Sequence, residues 1–116
     1  MFADPLANLT YNSVAQTAPR ISQSGRKAIY QTADGSIVVT ISHTVAKLRT
    51  RSMYRIDRNV DVNADSVLEN HNMYVVYDRP VSGFSETDCV NLATCLFGSL
   101  TASTNAGIKK LNGGES

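Results

Sequence analysis

The stretch "RTRSMYRIDRNV", residues 49–60, places four arginines in a run that otherwise has the period-two pattern of a β-strand. Successive strand side chains point to opposite faces. Alternate residues therefore separate Arg49, Arg51, Met53, Arg55, Asp57 and Asn59 from Thr50, Ser52, Tyr54, Ile56, Arg58 and Val60. The first set makes a mostly polar, basic face. The second carries Tyr54, Ile56 and Val60 toward a core, with Arg58 as the exception. One wet and one dry face mark a strand of an antiparallel sheet, and in the plainest reading its arginines are simply solvated.

The neighbouring segments repeat the pattern. In "SIVVTISHTV", residues 36–45, Ile37, Val39 and Ile41 alternate with Val38, Thr40, Ser42 and Thr44. It is joined to "RKAIYQT", residues 26–32, through Ala33-Asp34-Gly35, and Asp-Gly between alternating runs is a hairpin signal. On the other side, "DVNADSVLEN", residues 61–70, predicts a polar loop. "HNMYVVYDRP", residues 71–80, then predicts a strand with Met73, Val75 and Tyr77 on one face and Asn72, Tyr74, Val76 and Asp78 on the other. Toward the start of the chain, "LANLTYNSVAQ", residues 6–16, predicts a first strand, and "TAPRISQSG", residues 17–25, predicts turn material.

After Pro80 and Gly83 the period changes. Ser85 with Asp88 three residues on is an N-terminal capping signature, and Val90, Ala93, Leu96, Phe97 and Leu100 recur at helical spacing. A break near Ser103 precedes a shorter helix in "TNAGIKKLN", residues 104–112, closed by Gly113 and Gly114. The expectation is an α+β fold in a single domain over residues 1–116. An antiparallel meander occupies about 6–80, and two C-terminal helices within 85–113 pack on one face. One helix of about sixteen residues and one short one, each about 10 Å wide, can hardly cover a sheet of about five strands spaced about 4.8 Å apart. A second copy of the chain is the economical cover, so the fold is expected to be completed by dimerisation.

Charge is unevenly placed. The segment from Arg20 to Arg58 holds eight basic residues against Asp34 and Asp57, whereas the rest of the chain holds three basic residues against eight acidic ones. The net charge of +1 thus conceals a surface able to meet a polyanion. No secretion signal, membrane span, phosphate loop, dinucleotide fingerprint or nucleophile elbow is legible. Cys89 and Cys95 are six apart on a predicted helix, outside disulfide reach, and His43 and His71 lie on different strands without metal-ligand spacing. The expectations are no enzymatic activity, no cofactor, no metal, no small-molecule substrate and no membrane partner.

In its element order, in Phe84-Ser85-Glu86-Thr87-Asp88-Cys89 at the strand-to-helix junction, and in the Thr40 and Ser42 pair of "VVTIS", the sequence resembles a coat protein of the single-stranded RNA bacteriophages, the levivirus-like group. The resemblance implies a structural capsid protein: two subunits join their sheets edge to edge, helices of both interlock over the outer face, and dimers build an icosahedral shell. It implies a virion location, assembly in the bacterial host cytoplasm, and two partners, the chain itself and single-stranded viral RNA with hairpins. Binding of an operator hairpin would repress replicase translation. Carried onto this chain, the RNA-facing set is Thr40, Ser42, Thr44, Arg49, Arg51, Arg55, Asn72 and Tyr74. Asp57 departs from the pattern, standing where a second basic residue is expected. The alternative is a non-assembling dimeric nucleic-acid-binding regulator using the same basic sheet.

Overall fold

The computed structural model describes residues 1–115. The chain divides into two compact units, a sheet unit from Met1 to Val81 and a helical unit from Ser82 onward.

The sheet unit begins with a small hairpin, β1 (Thr10–Tyr11) and β2 (Val14–Ala15). Five further strands follow: β3 (Arg20–Ser24), β4 (Lys27–Gln31), β5 (Ile37–Val45), β6 (Arg49–Val60) and β7 (Glu69–Pro80). They form one antiparallel sheet in sequence order, β3-β4-β5-β6-β7.

Two expectations for the start of the chain are corrected. Residues 6–16 do not form one strand, because Asn12 and Ser13 both adopt positive φ, 52° and 64°, and turn the chain back on itself. Two positive-φ residues between paired strands are the geometry of a type I′ turn, for which asparagine is well suited. Residues 17–25 are not all turn: Arg20–Ser24 pair with β4, and only Gly25 and Arg26 make the turn, Gly25 at φ 54°. A strand reading "RISQS" has one large apolar side chain, so its pairing rather than its composition makes it β. The other connections fall as expected. Asp34 organises the β4–β5 turn by accepting hydrogen bonds from the Thr32 hydroxyl at 2.7 Å, the Ser36 N–H at 3.0 Å and the Ser36 hydroxyl at 2.8 Å. The loop after β6 is two residues shorter than predicted, since Glu69 and Asn70 already belong to β7.

The core lies on one face of the sheet. Tyr30, Ile37, Val39 and Ile41 are buried against Leu6 and Ala18 of the N-terminal arm, with Leu9, Ala28 and Tyr54 at the margin. Arg20 pins that arm: its N–H donates to Asp4 Oδ1 at 2.8 Å, and its guanidinium donates to the Phe2 carbonyl at 3.0 Å and the buried Tyr30 hydroxyl at 3.0 Å. Arg58, the residue that breaks the apolar alternation of β6, lies over the Tyr11 ring at 4.5 Å. Cation–π contact thus accounts for a charge on the dry face. The core stops half-way across the sheet, because Ile56 and Met73 on the same face are 37% and 64% exposed.

The helical unit is α1 (Glu86–Asn112), interrupted at Ala102, Ser103, Thr104 and Asn105, whose backbones are not helical. Three of these residues have φ between 55° and 63°, which divides the element near Ser103, where the sequence predicts the break. At the N-terminus the capping box is complete: Ser85 Oγ accepts from the Asp88 N–H at 3.2 Å, and the Ser85 N–H donates to Asp88 Oδ2 at 2.9 Å. No residue of α1 is buried within the single chain, and Val90, Leu96 and Phe97 of its apolar stripe are exposed. No described helix is long and apolar enough to cross a membrane.

Candidate nucleic-acid interface

Directly opposed residues of an antiparallel ladder share a face, so the register identifies what lies together opposite the core. Thr40 faces Arg55, Ser42 faces Met53 and Thr44 faces Arg51 across β5 and β6. Across β6 and β7, Arg55 faces Tyr74, Asp57 faces Asn72 and Arg51 faces Asp78. Arg49 has the same parity as Arg51 and Arg55. All eight residues singled out from sequence, Thr40, Ser42, Thr44, Arg49, Arg51, Arg55, Asn72 and Tyr74, therefore lie on one surface. Lys27, opposite Ser42 on β4, joins them.

The electrostatics of this face are more balanced than a count of arginines suggests. Arg49 Nε donates to Asp78 Oδ1 at 2.8 Å and Arg51 Nε to Asp78 Oδ2 at 3.1 Å, so one carboxylate serves two guanidiniums. Arg55 grips Asp57 through two donors on one edge of its guanidinium, Nη2 to Oδ1 at 2.9 Å and Nε to Oδ2 at 3.0 Å. Bidentate pairing of this kind fixes the direction of the guanidinium plane. Hydrogen bonding from Arg55 holds the Asp57 carboxyl below its ordinary pKa, assisted by Asn70 and opposed by burial; Asp57 in turn raises that of Arg55. Asp78 is lowered chiefly by Arg49, then by Arg51. The fixed Arg55 lies 5.8 Å from the ring centroid of Tyr74, which is 58% exposed.

Beside this pair runs a polar ladder that the sequence reading missed. Asn70 Nδ2 donates to Asn59 Oδ1 at 2.8 Å and to Asp57 Oδ1 at 3.3 Å, and Asn72 Nδ2 donates to Asn70 Oδ1 at 2.9 Å. The signal was present as Asn70 and Asn72 at strand spacing, but only the β6–β7 register places Asn59 and Asp57 opposite them. The hydroxyls of Thr40, Ser42 and Thr44 have no hydrogen-bond partner among the described residues and stay available to a ligand.

Acidic residues gather in the loop after β6, where single carboxylate oxygens of Asp61, Asp65 and Glu69 lie within 4.8 Å of one another. They serve the loop itself. Asp61 accepts from the N–H groups of Asn63, Asp65 and Ser66, and Glu69 from the Val62 N–H.

The same architecture occurs in a solved structure described as an unassembled virus coat protein dimer, a bacteriophage RNA-binding dimer. It matches 93% of this chain and 92% of its own, with a TM-score of 0.65 and 14% sequence identity. The fold is that of a bacteriophage coat protein. A coat-protein fold accounts for the order of elements, a meander sheet ahead of a broken C-terminal helix. The α+β architecture expected from sequence, and the resemblance that named it, hold at the level of the fold. No family model matches the chain, and no curated protein matches it in sequence.

Proposed function

We propose that this chain is the coat protein of a single-stranded RNA bacteriophage, a structural protein without catalytic activity. Dimers build an icosahedral shell in the cytoplasm of the bacterial host and package genomic RNA, and the same surface binds an operator hairpin to repress replicase translation. One observation carries the reading. On a chain with the coat-protein fold, the sheet face opposite the core presents Thr40, Ser42, Arg51, Arg55 and Tyr74 in one register. Arginines supply affinity for phosphate, an exposed tyrosine offers stacking to an unpaired base, and free hydroxyls supply hydrogen bonds to sugars and base edges.

Dimerisation is supported by what the single chain leaves uncovered. Ile56 and Met73 on the core face and Val90, Leu92, Leu96 and Phe97 on α1 are all exposed. An apolar groove of about 250 Å³, lined by Tyr11, Ile37, Ile56, Arg58, His71 and Met73 among others, opens on the same half of the sheet unit. Apolar surface distributed in this way is what a second copy would bury.

The test is RNA content. The chain is expressed in bacteria, purified after nuclease treatment, and its protected RNA is measured against protein. Arg51→Ala with Arg55→Ala is expected to keep the fold and the assembly while lowering protected RNA several-fold at matched salt. Unchanged RNA content in a folded double variant would contradict the assignment of this face.

A further inference from the structure

The amide ladder beside the Arg55–Asp57 pair has a direction, and a carboxylate sets it. An ionised carboxylate only accepts hydrogen bonds. Asp57 Oδ1 meets the side chain of Asn70 at 3.3 Å, so the Asn70 atom turned toward it is the amide nitrogen. The same nitrogen donates to Asn59 Oδ1 at 2.8 Å, which occupies both of its N–H groups. Asn70 Oδ1 is left to accept, and the Asn72 atom that reaches it at 2.9 Å is again the nitrogen. Turning the Asn70 amide over would set its carbonyl oxygen against the Asp57 carboxylate and the Asn59 oxygen together. Asp57 is itself held by Arg55, and its side chain is only 15% exposed, so little water competes with Asn70 for it.

The terminal torsion of an asparagine is broad and roughly two-fold, so an exposed amide normally offers oxygen or nitrogen to whatever arrives. Asn72 is exposed, yet its amide cannot turn over without losing Asn70. One of its N–H groups is committed, and among the described residues its Oδ1 and its second N–H have no partner. The hydroxyls of Thr40 and Ser42 on the same face rotate, and each donates or accepts alike. Asn72 instead presents an acceptor and a donor in a fixed order.

We infer that Asp57 and Asn70 are positioning residues that lock the Asn72 amide, and that Asn72 thereby selects adenine over guanine in single-stranded RNA bound to this face. In adenine the N6 amino donor stands between two ring acceptors, N1 and N7, so an acceptor and a donor of fixed order are matched along either edge. Asn72 Oδ1 accepts from N6 while its free N–H donates to N7 or N1. In guanine O6 takes the place of the amino group. The edge with N7 then holds two acceptors, and the edge with N1–H holds a donor and an acceptor in the reverse order. Oδ1 would meet O6, and the turn of the amide that relieves the clash is the one Asn70 blocks. This preference rests on the RNA-facing reading of the sheet, to which it adds a base and the residues that select it.

Fluorescence anisotropy with two single-stranded probes of equal length, an oligoadenylate and an oligoinosinate, tests the selection. Hypoxanthine carries the guanine pattern at positions 1, 6 and 7 without guanine's own amino group. The parent protein is expected to bind the oligoadenylate about tenfold more tightly than the oligoinosinate. In Asn70→Ala, with Asn72 free to turn over, that ratio is expected to fall several-fold, mainly through a gain on the oligoinosinate. In Asn72→Ala it is expected to fall through a loss on the oligoadenylate. A purely structural role for Asn70 would lower both affinities together and keep the ratio. Equal affinities of the parent for the two probes, or an undiminished ratio in either variant with its circular dichroism intact, would overturn the proposal and leave RNA binding standing. Failure of the parent to bind either probe at low salt would overturn the RNA-facing reading as well.

Discussion

At the scale of single residues, Asp57 decides how basic the sheet face is. It takes two hydrogen bonds from one edge of the Arg55 guanidinium, so that charge is already matched before any phosphate arrives. A partly exposed pair of this kind contributes little to stability, and its weight falls on binding. Asp57→Asn keeps the shape and one acceptor oxygen while releasing the charge of Arg55. Binding of single-stranded RNA is expected to tighten at low salt, with a logarithmic salt dependence steeper by about 0.7, one further phosphate contact. Filter binding over a salt series measures it. A slope equal to that of the parent chain would place Arg55 away from the RNA. The positions of Arg51, Arg55, Thr40 and Tyr74 were legible in the sequence because strand alternation alone assigns a face. Their partners were not: Asp78 serving Arg49 and Arg51, and the Asn59-Asn70-Asn72 ladder, depend on cross-strand register, which a linear pattern does not contain.

At the scale of elements, the hairpins are specified by local chemistry of unequal visibility. Asp34 is the clear case, with three donors converging on one carboxylate oxygen in the β4–β5 turn. Those bonds, led by the Ser36 N–H and then the Thr32 and Ser36 hydroxyls, lower its pKa to about 2. The folded value lies below the unfolded one. The turn's contribution is therefore present above the ordinary aspartate range and is lost as pH falls toward 2. Carboxyl-carbon NMR titration of the folded protein is expected to show Asp34 still ionised near pH 3, where an unperturbed aspartate is mostly protonated. An ordinary midpoint would mean that the turn is not organised by this side chain. The Asn12-Ser13 turn and β3 escaped the sequence reading for the opposite reason. Asn-Ser is a weaker turn signal than Asp-Gly, and an edge strand facing water lacks the apolar alternation that announces inner strands. The broken helix was legible because its cap, stripe and terminal glycines are all local.

At the scale of the whole molecule, the single chain is unfinished. Its core covers the β4–β5 half of one sheet face, and α1 carries an apolar stripe with nothing fully buried. The sequence reading expected a second copy of the chain as cover; within one chain Val90, Leu96 and Phe97 of that stripe are exposed, and the proposed dimer supplies the cover. Leu96 is 43% exposed in the single chain, so a charge there would be tolerated by an isolated monomer and costly in a buried interface. Leu96→Asp is expected to abolish dimers in sedimentation velocity while the sheet's circular dichroism persists. A normally sedimenting dimer would show that this face of α1 stays in water.

The central claim is that these dimers close into shells around RNA, and electron microscopy of the chain expressed alone in bacteria tests it most directly. Uniform closed particles containing RNA are the predicted result. A dimer that forms no particles at any salt concentration, with or without added RNA, would contradict the coat-protein account and leave a dimeric nucleic-acid-binding regulator in its place.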